Sequence, residues 1–244
     1  YNKRNKALKR IKEMIDAGAD IIDIGGESTR PGSKIIKPEI EWKRIKETVK
    51  FFKTKHPDVL LSIDTRKSLV MRNAIKFKVD LINDVSCFKF DNNSSKTISN
   101  KNLWKVIHHM QGTPQTMQDN PKYDNVLLDV YDFFEKEIYK LKKDKFKGKI
   151  ILDPGIGFGK NLKHNLTLLS KISIFHSLGF PILIGTSRKK FINLISKNFD
   201  TKERIGGTIS SVLYSLSQGV QIFRVHNVEE IKQGILVFES LLNK

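Results

Sequence analysis

Short runs rich in Ile, Val and Leu alternate along the chain with segments of helical period. The runs cover residues 20–24, 60–64, 81–85, 105–110, 150–153, 182–185 and 222–226. Each is mostly apolar on both faces, as strands buried in a parallel sheet require. Between them, apolar residues recur every three or four positions. Leu8, Ile11 and Ile15 form one stripe, and Trp42, Ile45, Val49 and Phe52 a second. Leu127, Val130, Phe134, Ile138 and Leu141 form a third, and Val228, Ile231, Ile235, Phe238 and Leu242 a fourth. Such stripes predict helices that pack one face on a sheet. Residues 91–102 are polar and read as a loop. Residues 141–149 are Lys-rich and read as a helix end and turn. Seven βα units follow one another with no break in composition, which predicts one α/β domain over 1–244.

An open sheet and a closed barrel share this alternation. The polar residues favour the barrel, because nearly every run ends in a polar or glycine-rich cluster. These clusters are 25–30, 64–66, 83–84, 110–112, 153–155, 187–189 and 224–226. In a barrel all strand ends meet at one mouth, where catalytic groups sit. In an open sheet only the switch point is used. Seven strands do not close an eight-stranded barrel. Residues 5–17 read as a helix with no strand before it, and the chain starts at Tyr1 rather than Met. The expectation is a TIM (β/α)8 barrel whose first strand and loop lie upstream of Tyr1.

Composition narrows the partners. The 244 residues carry a net charge of +18, with 39% hydrophobic and 29% charged residues. The basic residues are scattered over nearly every helix and form no stripe. No RNA-binding aromatic motif or zinc-finger spacing accompanies them, so a solvated surface is expected and no nucleic-acid partner. The single cysteine, Cys87, cannot form a disulfide within the chain and suits a reducing, cytoplasmic setting. Packing is its default role. No apolar run approaches a membrane span.

Several strand-end clusters carry chemistry. The segment 153–160, Asp-Pro-Gly-Ile-Gly-Phe-Gly-Lys, is glycine-rich but lacks P-loop spacing. Its glycines allow backbone close to a flat ligand. Phe158, between two glycines, would pack poorly unless a ligand or loop covers it. Asp64, Asn83 and Asp153 stand at three strand ends. Any one alone would serve as a barrel hydrogen bond or a helix cap. Together they suit an aminopyrimidinone ring such as guanine or pterin, because a carboxylate accepts two N–H bonds from a guanidine-like edge. Arg30, Arg224 and His226 suit an anion, and the Arg-x-His spacing on a strand puts both side chains on one face. Ser187 is expected to open a helix whose N–H groups add to that site. His108 and His109, adjacent on a strand, give little reason to expect a metal site.

These clusters resemble dihydropteroate synthases. The matching motifs are residues 23–32 (Asp-Ile-Gly-Gly-Glu-Ser-Thr-Arg-Pro-Gly), 62–65, 81–84, 109–114, 153–160, 185–189 and 224–226, in the family's order. The resemblance implies a TIM barrel that condenses 6-hydroxymethyl-7,8-dihydropterin diphosphate with p-aminobenzoate. The products are 7,8-dihydropteroate and pyrophosphate. By match, Asp64, Asn83, Met110, Asp153, Gly185, Lys189 and Arg224 hold the pterin. Arg30, Arg224 and His226 hold the diphosphate. Thr29, Pro31, Phe158 and Ser187 border the aminobenzoate. Asp64, Asp153, Lys189 and Arg224 carry the chemistry, an SN1-like substitution. The resemblance also implies Mg²⁺, with its asparagine ligand in the loop expected upstream of Tyr1 and no metal ligand in this chain, and a homodimer through barrel helices.

The sequence departs from the family pattern at Ile156, where Phe is common, at Lys190, where Ser is common, and at Asn227, where Asp is frequent. Two alternatives share the barrel: a methyltetrahydrofolate-dependent corrinoid methyltransferase domain, and an inactive truncated barrel. The methyltransferase has no need of the Arg30, Arg224 and His226 set.

Overall fold

A computed structural model describes residues 2–143, 146–197 and 200–242. Helix α1 (Asn2–Asp16) leads into β1 (Ile21–Gly25). The alternation continues with α2 (Pro38–Lys55), β2 (Leu60–Asp64), α3 (Ser68–Ile75), β3 (Leu81–Asp84), α4 (Ser94–Ser99) and β4 (Trp104–His108). Then come α5 (Val126–Lys143), β5 (Lys149–Asp153), α6 (Leu162–Ser170), β6 (Leu183–Ile184), α7 (Lys190–Ser196), α8 (Ile205–Ser217), β7 (Ile222–Phe223) and α9 (Val228–Leu242). Strands β1 to β5 follow sheet order in sequence, and β6 pairs with β7. The β1–β2, β2–β3, β3–β4 and β6–β7 ladders are parallel, as the both-face apolar runs require.

The chain forms two compact units. The first comprises Tyr1–His108 and Lys136–Ile151, the second His109–Glu135 and Leu152–Lys244. In the first, Leu61, Ile63 and Ile82 are fully buried with Val49 and Phe52 of α2, and Trp42 and Ile15 pack at the margin. Each such side chain contributes about 1.5–3 kcal/mol by leaving water. Helix α2 starts at Pro38, whose missing N–H costs nothing there, and carries Glu39 and Glu41 in its first turn and Lys53 and Lys55 in its last. Cys87 is buried here, and burial pushes its thiol up, in keeping with a packing role.

In the second unit, the Phe134 ring meets Phe175 edge-on at 5.4 Å. Leu127, Val130 and Phe134 of the third stripe are buried here, as Ile138 and Leu141 are in the first unit. The fourth stripe packs only in part. Ile231 is buried, but Leu242 is 67% exposed, and Leu236, Val237 and Leu241 of the same helix are exposed too. Among the described residues no helix is long and apolar enough to cross a membrane.

Two expectations need correction. The 91–102 segment contains helix α4, not only a loop. Ser94 and Ile98 are buried, and Asp91 accepts the Asn93 N–H at 2.9 Å and the Ser68 N–H at 2.8 Å. With one apolar residue in the helix, no period was visible. Strands β6 and β7 are two residues each, shorter than the apolar runs 182–185 and 222–226. Within 141–149, α5 does end at Lys143, and residues 144 and 145 lie outside the described set.

Candidate active site

In the first unit, strand register places three expected positions side by side. Gly25 is the partner of Asp64, and Asp64 of Asn83. A Cβ at residue 25 would stand 3.3 Å from the Asp64 Cβ, so glycine makes room for the carboxylate. Asp64 and Asn83 are both buried. The Asn83 carbonyl accepts the Thr65 N–H at 3.0 Å. Its side-chain Oδ1 is buried and has no hydrogen-bond partner among the described residues. A native fold seldom leaves such an acceptor without a function. Beside it, burial pushes the Asp84 carboxyl up to about 6, against donors from Ser86 and Phe88.

The β1–α2 loop carries Thr29, half-buried, and Arg30 and Pro31, both exposed. At its base is a cluster that sequence reasoning missed. Glu27 accepts bonds from Arg66 and Lys67, each at 2.6 Å, and Lys67 also reaches Glu41 at 2.5 Å. Burial alone would raise the Glu27 carboxyl, but donors from Lys67, Arg66 and the Ile36 N–H outweigh it and hold it below the usual carboxylate range. No local pattern signals these pairs, whose members lie 26–40 residues apart.

In the second unit, buried Asp153 caps its own turn by accepting the Gly155 N–H at 2.8 Å. The following glycine turn approaches protein as well as any ligand. A Cβ at Gly159 would lie 2.5 Å from the Gln111 carbonyl oxygen, and one at Gly157 would lie 3.0 Å from the Lys189 Cδ. Gln118 Nε2 donates to the Gly157 carbonyl at 2.9 Å, and the Tyr123 hydroxyl to Gly159 at 2.8 Å. Phe158 is half-buried and covered by the Lys189 ammonium, 4.8 Å from its ring centroid. Lys189 Nζ donates to the Ile156 carbonyl. Burial pushes its pKa down to about 8, Asp153 pulls it up, and Arg224 pushes it down again.

Lys160 is a second buried amine. Its Nζ lies 2.9 Å from His109 Nδ1 and donates to the Phe158 carbonyl at 3.0 Å. Burial holds it well below its ordinary pKa. His108 and His109 are both buried, with His109 edge-on to Phe133 at 4.9 Å. Met110 is half-buried. Gly185 borders Lys189 Nζ and the Arg224 Cβ, at 3.7 and 3.8 Å from its own Cβ direction.

The anion set differs from expectation in two ways. Helix α7 starts at Lys190, so Ser187 precedes it by three residues and its hydroxyl instead accepts the His226 N–H at 3.2 Å and lies 2.9 Å from His226 Nδ1. Strand β7 ends at Phe223, so Arg224 and His226 lie beyond it, and the same-face argument for a strand does not apply. Both side chains are exposed. Asn227, where Asp is frequent, accepts two N–H bonds from Arg188 on its Oδ1, at 3.2 and 2.5 Å.

Residues 1–226 match the family described as Pterin binding enzyme. The chain is 37% identical to the dihydropteroate synthase of Escherichia coli K12 over 244 residues, covering all of this chain and 86% of that one. It belongs to the dihydropteroate synthase family of pterin-binding enzymes. It is also similar to a solved Clostridium difficile dihydropteroate synthase, obtained in the presence of pteroic acid. That match has a TM-score of 0.91, 35% identity, and covers 100% of this chain and 90% of that one. A Thermus thermophilus synthase in complex with 4-aminobenzoate matches with a TM-score of 0.89 and 34% identity, covering 96% and 89%. This likeness places the chain in the TIM-barrel fold class of these synthases.

Proposed function

We propose that the chain condenses 6-hydroxymethyl-7,8-dihydropterin diphosphate with p-aminobenzoate, in the cytoplasm and as a homodimer, for folate biosynthesis. The observation that carries this reading is the register that sets Asp64 beside Asn83, with the buried Asn83 Oδ1 left as an acceptor. A pterin edge supplies the N–H groups such acceptors take. The small-molecule ligands named with the C. difficile and T. thermophilus synthases support the same substrates.

Each group then has a task. Asp64, Asn83 and Asp153 accept from the pterin, Met110 and Gly185 border it, and Lys189 and Arg224 orient it. Arg30, Arg224 and His226 neutralise the diphosphate, which makes it a better leaving group. The methylene carbon–oxygen bond breaks, the pair of electrons leaves with diphosphate, and the cation spreads into the dihydropterin. Asp64 and Asp153 offset that positive charge. The arylamine nitrogen bonds to the methylene carbon and sheds one proton to water, so no strong general base is required. Thr29, Pro31, Phe158 and Ser187 border the arylamine. The described residues bring together no three His, Cys, Asp or Glu side chains suited to a cation. Mg²⁺ would be held mainly by the diphosphate and water, and no step here runs through it.

Purified full-length protein should incorporate labelled p-aminobenzoate into dihydropteroate when given the pterin diphosphate. A folded protein that makes none, but passes a methyl group from methyltetrahydrofolate to a corrinoid, would replace this reading with the methyltransferase one.

A further inference from the structure

The eight residues 28–35 of the β1–α2 loop leave and return at one carboxylate. Glu27 Oε1 accepts from Arg66 at 2.6 Å, while Oε2 accepts from Lys67 at 2.6 Å and from the Ile36 N–H at 2.9 Å. Lys67 is held in turn by Glu41, and the Arg66 guanidinium lies 4.2 Å over the Phe90 ring. The side chains of Glu27, Arg66, Lys67 and Glu41 are 5%, 3%, 3% and 0% exposed. The loop's start is fixed as well: a Cβ at Gly26 would sit 2.7 Å from the Glu41 carbonyl oxygen, and Arg44 donates to the Gly26 carbonyl at 3.0 Å. Within the loop, the Arg30 N–H donates to Ser28 Oγ at 3.3 Å and the Ser33 N–H to the Arg30 carbonyl at 3.1 Å.

A buried group of two anions and two cations returns little stability over a well-packed apolar set, because desolvation offsets its attraction. What it adds is direction. A carboxylate gripped by two cations holds one backbone N–H in one place, which a greasy contact does not. We propose that Glu27, held by Arg66 and Lys67, is the positioning residue of the β1–α2 loop and sets where Thr29, Arg30 and Pro31 stand. It thereby governs capture of the arylamine and diphosphate, and leaves pterin affinity alone. This rests on the synthase reading above.

The test compares Glu27→Gln with Glu41→Gln in the full-length chain. Each removes one charge from the same network, but only Glu27 touches the loop's return. Glu27→Gln should raise KM for p-aminobenzoate about tenfold, the scale of one lost charge-assisted hydrogen bond. Affinity for a diphosphate-free pterin should stay within about twofold, and amide exchange over 28–35 should quicken about tenfold. Glu41→Gln should leave all three near their starting values. Ile36→Pro removes the tethered N–H with every charge intact, and should reproduce the loop-confined effect if Glu27→Gln does not fold. Equal changes in the Glu27 and Glu41 variants, or unchanged exchange over 28–35 in both Glu27→Gln and Ile36→Pro, would overturn the proposal. If the unaltered chain makes no dihydropteroate, the synthase reading fails, and the amide-exchange contrast still decides the anchor.

Discussion

The two units handle buried charge in opposite ways. In the first, Glu27 and Glu41 face Arg66 and Lys67 through ion pairs of 2.5–2.6 Å. In the second, Lys160 and Lys189 donate to the Phe158 and Ile156 carbonyls, Lys160 also lies against the His109 ring, and Asp153 is the anion that acts on both. In the first cluster, bonds from Lys67 and Arg66 hold the Glu27 carboxyl below its usual range. In the second, burial outweighs the pull of Asp153, so both amines lose their protons more readily than usual. An amine shifted to about 8 changes state within the working pH range, and such groups gather where chemistry is done.

Removing a cation from the balanced cluster should break it hardest. Lys67→Met leaves Glu41 buried without a counter-charge and should cost about 3–5 kcal/mol, read as a lower urea midpoint. Adding Glu41→Leu should restore most of that loss. Equal instability in the single and double variants would show that charge balance is not the cause.

Lys189→Met should lower kcat/KM by about 10²–10³-fold, with a smaller change in urea midpoint than Lys67→Met. The pH profile sharpens the contrast. The Lys189 amine gives up its proton above about 8, so kcat/KM should fall through that pH. In Lys189→Arg that limb should vanish, because guanidinium stays charged. Stability should not follow activity. Between about 8 and the ordinary 10.5, the unfolded chain binds the extra proton, so this group makes the fold more stable as pH rises.

The smallest change in stability belongs to Asn83→Leu. Its Oδ1 has no hydrogen bond to lose among the described residues, so stability should hold within about 1 kcal/mol. Pterin affinity, by fluorescence titration, should weaken about tenfold. A large stability loss with normal affinity would assign Asn83 to the fold alone.

Local pattern made much of this legible. Asp64 and Asn83 stood out as polar residues closing apolar runs, and the parallel register set them adjacent. Helix α4 was invisible because Ile98 is its one apolar residue, and its start depends on Asp91 bonds to Ser68 and Asn93. Lys160 lay in a recognisable motif, but its partner His109 is 51 residues away. The Glu27 cluster likewise joins four charged residues from three segments, and only folding brings them together. Periodicity reports burial. Long-range charge pairing leaves no periodic trace.

The central claim is tested most directly by measuring both products in one reaction of the purified full-length protein. The account predicts dihydropteroate and pyrophosphate in equal amounts, with no dihydropteroate when either substrate is omitted. Pterin binding without dihydropteroate, from protein shown to be folded, would contradict it.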